Sequence, residues 1–248
     1  MSMREVFPRL SGQGVRIAVI DSGVHPDHPH IDAGRLCAGV AISADGTVMD
    51  GAEATLDGLG HGTAVTAAIQ EKAQAALCIP VRVFRESLRT TAAALVAAID
   101  WSIGQQVDVI NLSLGTVNPA HRPVFEAVAE RALAAGVVLV AAREANDILC
   151  YPGSLPQPLS VGLDWECARD GYRIATQNGA LFFQASGHPR PIPGVPQRRN
   201  LYGISFAVAN MTGFAALACE QLGPTAAGRD RTLAVRALLE ESAFLPVV

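Results

Sequence analysis

Short apolar runs alternate with helical patterns along most of this chain, and nothing else in the sequence restricts the fold as much. Residues 15–20 (Val-Arg-Ile-Ala-Val-Ile) and 137–142 (Val-Val-Leu-Val-Ala-Ala) carry apolar side chains on both faces. That is the pattern of a strand buried on both sides of a parallel sheet. Residues 36–42, 77–84, 107–112 and 159–163 read as further strands. Pro80 inside 77–84 predicts an edge position or a bulge, because it has no N–H to donate. Between these runs the pattern turns helical. Leu95, Ile99 and Ile103 recur at four-residue spacing within 90–103, and Gly104 is the expected stop. Asn118-Pro119 predicts a cap followed by proline in the first helical position, with Gly136 ending that helix. Helices are also expected over 64–74, 205–222 and 231–242, and antiparallel strands and turns over 171–186. Strand and helix in alternation mean a mostly parallel sheet with helices on both faces. No internal repeat, linker or shift in composition divides the chain, so one domain, 1–248, is expected.

Composition excludes several classes. Half of the 248 residues are hydrophobic and 17% are charged, enough apolar surface for a large core. A net charge of −4 gives no electrostatic footprint for nucleic acid, and Arg198-Arg199 is too short a run to supply one. The N-terminal Met-Ser-Met-Arg-Glu-Val-Phe is not a signal peptide, and the longest apolar run, 136–142, is too short to cross a bilayer. The five cysteines (Cys37, Cys78, Cys150, Cys167 and Cys219) form no Cys-x-x-Cys pair. They read as reduced structural thiols rather than disulfide or zinc ligands, and predict a cytoplasmic protein.

Three short motifs carry chemistry. Asp21 follows the strand 15–20 in Ile-Asp-Ser-Gly. His61 opens a helix in Gly-His-Gly-Thr. Ser205 opens another in Gly-Ile-Ser-Phe-Ala. A serine before a helix is also a preferred cap. What sets Ser205 apart is that a base and an acid precede it. A hydroxyl is a poor nucleophile at neutral pH; an imidazole must take its proton, and a carboxylate must hold that imidazole.

These motifs, in the order Asp, His, Ser, resemble those of the subtilisin-like (S8) serine proteases. Residues 109–115, Val-Ile-Asn-Leu-Ser-Leu-Gly, resemble the segment that walls that family's substrate groove. The similarity runs from residue 15 to the last helix. It implies a three-layer α/β fold and a catalytic triad of Asp21, His61 and Ser205. It also implies a groove lined by Ser113, Leu114 and Gly115, with Ala141, Ala142 and Arg143 edging the pocket for the residue before the scissile bond (P1). The substrate is then a peptide or protein, with no cofactor. The cluster His25-Pro-Asp27-His28-Pro-His30 resembles the family's loop after the catalytic Asp, so no metal site is expected there, and no calcium loop is evident.

The chain departs from the family pattern at the oxyanion hole. The family's Ala-Ala-Gly-Asn is Ala141-Ala142-Arg143-Glu144 here, which sets a carboxylate where the amide donor belongs; Asn146 comes two residues late. Losing that donor costs about 10²–10³ in turnover, the figure found in subtilisin itself. Arg143 in place of glycine predicts a P1 pocket that is narrowed or positively charged, taking a small or acidic residue. Ile204 and Phe206 beside the serine are expected to reshape the pocket, and Ala209 replaces a proline. Only a short segment precedes the first strand, so no pro-domain is expected. These features predict a cytoplasmic endopeptidase of narrow range, for example one that removes the leader of a ribosomally made peptide. Two alternatives stay open: a pseudoprotease that binds a strand without cutting it, and a macrocyclase that passes the acyl group to an amine. The sequence leaves the oligomeric state open.

Overall fold

The computed structural model describes residues 7, 9–51, 53–145, 147–224 and 226–243. Strand β1 (Arg16–Asp21) is buried along almost its whole length and pairs in parallel on both sides. Its neighbours are β4 (Leu77–Arg82) and β5 (Val109–Leu112). On the β5 side follow β6 (Val138–Ala142), β9 (Leu159–Leu163) and β11 (Ala180–Ala185), all parallel. On the β4 side lies β2 (Val40–Ile42), also parallel. Antiparallel strands close both edges: β3 (Val48–Met49) beside β2, and β10 (Tyr172–Gln177) beside β11. From β1 the chain crosses to β2 and β3, fills in β4 between β2 and β1, and then builds outward from β5 on the other side. β1 is therefore the point where strand order reverses, and Asp21 is its last residue. Crevices at the carboxyl ends of strands form at such points.

Helices cover both faces. α1 (His61–Lys72), α4 (Ile204–Leu222) and α5 (Gly228–Glu241) share one apolar cluster with the sheet, through residues such as Ile69, Phe214 and Val235. α2 (Ala92–Gly104) and α3 (Arg122–Ala135) share the other, through Ile99 and Phe125. Each large aliphatic or aromatic side chain so buried contributes about 1.5–3 kcal/mol. α4 is buried on nearly all sides from Phe206 to Cys219. It runs unbroken through Ala209, which a proline would interrupt. The sheet with a helical layer on each face is the three-layer α/β fold expected.

The departures are local. The strand expected over 36–42 is only Val40–Ile42; a 3₁₀ turn, Ala33–Arg35, capped by Asp32, precedes it, and Leu36 makes one isolated bridge to Cys78. Pro80 sits in an internal strand in unbroken register, not at an edge or bulge. The Leu77 and Val83 amides point to β1, while Cys78 O accepts from Cys37. By alternation the proline nitrogen faces the β2 side, where the neighbouring chain is not yet a strand, so no ladder bond is lost. Helix α2 starts at Ala92 behind Thr91, whose hydroxyl accepts from the Ala94 amide. Asn118 caps a short 3₁₀ turn, Pro119–His121, that leads into α3. The antiparallel pair over 171–186 turns at Asn178-Gly179, both with positive φ (51° and 77°), the hairpin signal of an Asn-Gly turn.

Candidate active site

Asp21 is fully buried and accepts three hydrogen bonds. Oδ1 accepts from the Ser22 amide (2.8 Å) and from His61 Nδ1 (2.7 Å); Oδ2 accepts from Ser113 Oγ (3.0 Å). A carboxylate only accepts, so Nδ1 carries the proton and Nε2 is left as the free base. His61 is the first residue of α1, and its side chain is 13% exposed. Burial lowers its pKa, but the hydrogen bond and charge of Asp21, with the charge of Asp57, outweigh burial and raise it above the usual 6.5. Phe206 is buried and walls the imidazole, with ring centroids 5.7 Å apart.

Asp57 is the residue the sequence reading missed. It lies in the loop before α1, and its two oxygens gather donors from both sides. Oδ1 accepts from Ser22 Oγ (2.9 Å) and the amides of Leu59 and Gly60 (both 2.9 Å). Oδ2 accepts from the Thr63 amide (2.8 Å) and hydroxyl (2.6 Å). Burial raises the Asp57 pKa, yet these hydrogen bonds together hold it below 3.8. Ser22 Oγ in turn accepts from the Gly62 amide (2.8 Å). Ser22 and Asp57 thus tie the end of β1 to the start of α1 and hold His61 opposite Asp21. A sequence signal exists: an acid four residues before a helix-opening His, with Thr two beyond it, has the chemistry of a remote helix cap.

Ser205 is the second residue of α4 and half-buried. It is not the cap. Gly203 is, with φ 136° and no side-chain capping bond. That positive φ favours glycine. Ser205 Oγ lies 3.5 Å from Ser113 O. The amides of Ile204 and Ser205 have no acceptor among the described residues, whereas Phe206 N donates to Gly203 O. Ser113 therefore joins both sides of the site: its hydroxyl serves Asp21 and its carbonyl meets Ser205.

Arg143 departs from expectation. Its side chain is buried, with Nη2 on Gln177 Oε1 (2.6 Å) and the guanidinium 4.3 Å above the Phe182 ring. The charge is held under the β10–β11 hairpin, stacked on an aromatic face, rather than in the space between 113–115 and 141–143. Another residue narrows that space. The Cys150 thiol donates to Ala142 O at 3.1 Å, and a Cβ added at Gly115 would lie 3.0 Å from Cys150 Sγ and 2.5 Å from Tyr151 O. Thr116 and Tyr151 exchange backbone hydrogen bonds just beyond. Leu114 is half-buried, Gly115 is exposed, and Ala141 and Ala142 are buried at the end of β6. Burial, with the charge of Glu144, pushes the Cys150 thiol up to about 11, so it packs as an inert apolar group. Glu144 itself is half-buried in a small hairpin, β7 (Glu144–Ala145) with β8 (Ile148–Leu149). Asn146 lies outside the described residues. All five cysteines are free thiols. Among the described residues no cluster of three or more His, Cys, Asp or Glu can hold a metal, and no helix is long and apolar enough to cross a membrane.

The model of the subtilase family matches residues 12–245. Subtilisin E of Bacillus subtilis (strain 168) is 26% identical over 222 residues, covering 83% of this chain and 53% of that protein. Subtilisin BL of Lederbergia lenta is 28% identical over 220 residues, covering 83% and 73%. The chain thus spans about half the length of subtilisin E. Among solved structures, a cold adapted subtilisin-like serine proteinase has a TM-score of 0.67 at 23% identity, over 94% of this chain and 83% of that one. The prenylagaramide maturation protease PagA has a TM-score of 0.65 at 21% identity, over 95% and 86%. At these identities the structural likeness establishes the fold.

Proposed function

This chain belongs to the subtilase family, and from that premise we propose that it is a serine endopeptidase with Ser205 as nucleophile, His61 as general base and Asp21 as its orienting acid. The buried Asp21–His61 hydrogen bond of 2.7 Å carries the reading, because it fixes the tautomer that leaves Nε2 basic. Ser205 Oγ leaves Ser113 O, gives its proton to Nε2 and attacks the scissile carbonyl. The resulting imidazolium is stabilised by Asp21 and passes the proton to the leaving amine. Water then repeats the sequence on the acyl-enzyme. The open amides at the head of α4 meet the oxyanion from one side, helped by the positive end of the helix dipole. Asn146 has the side chain suited to the second donor.

A narrow substrate range follows from the filled space between 113–115 and 141–143. Cys150 leaves room for a small P1 residue, and with Arg143 turned away nothing there favours an acidic one. Trimming of a leader from a small peptide suits such an enzyme, as does reducing surroundings for five free thiols. A fluorophosphonate probe tests the core claim. Labelling of the wild type that disappears in Ser205→Ala supports it. Folded protein that never labels between neutral and alkaline pH overturns it in favour of a strand-binding pseudoprotease.

A further inference from the structure

A cavity of about 590 Å³ opens beside His61 and takes no part in the chemistry described so far. Gly60, Thr63 and Ala64 of the α1 start line it, and none of 113–115 or 141–143 does. Its far wall is Leu201, four residues before Ser205, with Ile192. The chemistry says which half of a substrate passes this way. The acyl half stays on Ser205 beside Ser113. The imidazole gives its proton to the departing amine, so that amine and the residues after it leave past His61. The cavity adjoins that side of the site through Gly60, Thr63 and Ala64, the residues that flank His61 at the start of α1.

Its lining combines two characters. Ala64, Ala67, Ile192 and Leu201 make an apolar surface, and Ile192 and Leu201 are 38% and 45% exposed. Arg190 and Arg199 stand on the same cavity. Arg190 Nη1 donates to His30 O at 3.1 Å, and neither guanidinium has an acidic partner among the described residues. His28 Nδ1 accepts from the His30 amide (3.2 Å), so neutral His28 keeps an N–H on Nε2. Two carboxylates also line the cavity. Asp57 is consumed by its five donors, which leaves exposed Asp27 as the one competing anion.

We propose that this cavity is the subsite for the leaving segment of the substrate, and that it selects an aliphatic side chain followed by a carboxylate within the first three residues after the cut. The proposal rests on the peptidase reading above. It makes Arg190 and Arg199 specificity residues, and it places recognition on the side of the bond opposite the restrictive Cys150.

Equilibrium binding to Ser205→Ala tests it without turnover. The probes are fluorescein-labelled pentapeptides containing Leu-Glu, Leu-Gln or Ser-Glu with amidated ends, and Leu-Gln with a free terminal carboxylate. Leu-Glu should bind about tenfold more tightly than Leu-Gln or Ser-Glu. Tighter binding of the free-acid Leu-Gln peptide would assign the carboxylate to a chain terminus instead. Arg199→Glu should erase the preference for Glu over Gln or reverse it, and Ile192→Ala should erase the preference for Leu over Ser. Equal affinities across the set, in a wild type that labels with fluorophosphonate, would overturn the subsite and leave the peptidase. A preference for Glu that survives in Arg190→Gln/Arg199→Gln would overturn it as well. Failure to label, with the binding preferences intact, would remove the peptidase and keep the peptide site.

Discussion

Two helices start at the candidate site, and their N-termini are finished in opposite ways. Both open behind a glycine of positive φ, Gly60 (77°) for α1 and Gly203 (136°) for α4, and neither has a side-chain cap on that residue. At α1 the second and third amides are spent: Gly62 donates to Ser22 Oγ and Thr63 to Asp57. At α4 the amides of Ile204 and Ser205 find no acceptor among the described residues. The charge of Asp57 sits where the dipole of α1 favours an anion. The same field at α4 is left open. One helix end is closed to hold a side chain still; the other is open for negative charge that exists only during reaction.

That contrast can be broken at either end. Ser205→Ala removes the group at the open end and should lower kcat/KM by about 10⁶, the scale known from subtilisin. A residual rate near wild type would mean that another group is the nucleophile. Asp21→Asn keeps the shape at the closed end but reverses the acceptor, and should cost about 10⁴ through the wrong tautomer. Asp57→Asn probes the difference most directly. It should lower kcat/KM only about tenfold, because it acts through the placement of His61, while costing about 1–3 kcal/mol of stability in unfolding by urea.

The pH profile adds a sign. Catalysis needs neutral His61, so kcat/KM should rise with pH through a midpoint above 6.5, since Asp21 and Asp57 raise the imidazole pKa against burial. Asp57→Asn removes one of those charges and should move the midpoint down. A midpoint that stays put would reduce Asp57 to a structural cap. The smallest effect expected lies away from both helix ends. Cys150→Gly should raise the ratio of kcat/KM for Leu over Ala at P1 by a few-fold to about tenfold. An unchanged ratio would show that Cys150 does not bound the pocket.

Much of this was legible in the sequence, for identifiable reasons. Residues 15–20 and 137–142 are apolar on both faces, and that periodicity is enough to mark buried parallel strands. Gly136 ends its helix as expected, because the left-handed backbone there (φ 77°) depends on the residue itself. Asp21, His61 and Ser205 stand out because each lies beside a small-residue turn at an element end. The strand expected over 36–42 forms only over Val40–Ile42, since local β-propensity says nothing of the 3₁₀ turn that Asp32 caps. Pro80 sits in an internal strand against expectation, because its cost depends on which neighbour its nitrogen faces.

The sequence by itself determined the alternation of elements, the layer order that alternation allows and the residue types available for catalysis. Those follow from periodicity and from chemistry carried within a few residues. Tertiary structure alone decided which groups meet. It turned Arg143 under Phe182, set the Cys150 thiol against Gly115, gave Ser113 Oγ to Asp21 and tied Ser22 Oγ to Asp57. Each of these is a contact between segments separated along the chain, set by packing and by the need to satisfy buried polar groups, and no local pattern encodes it.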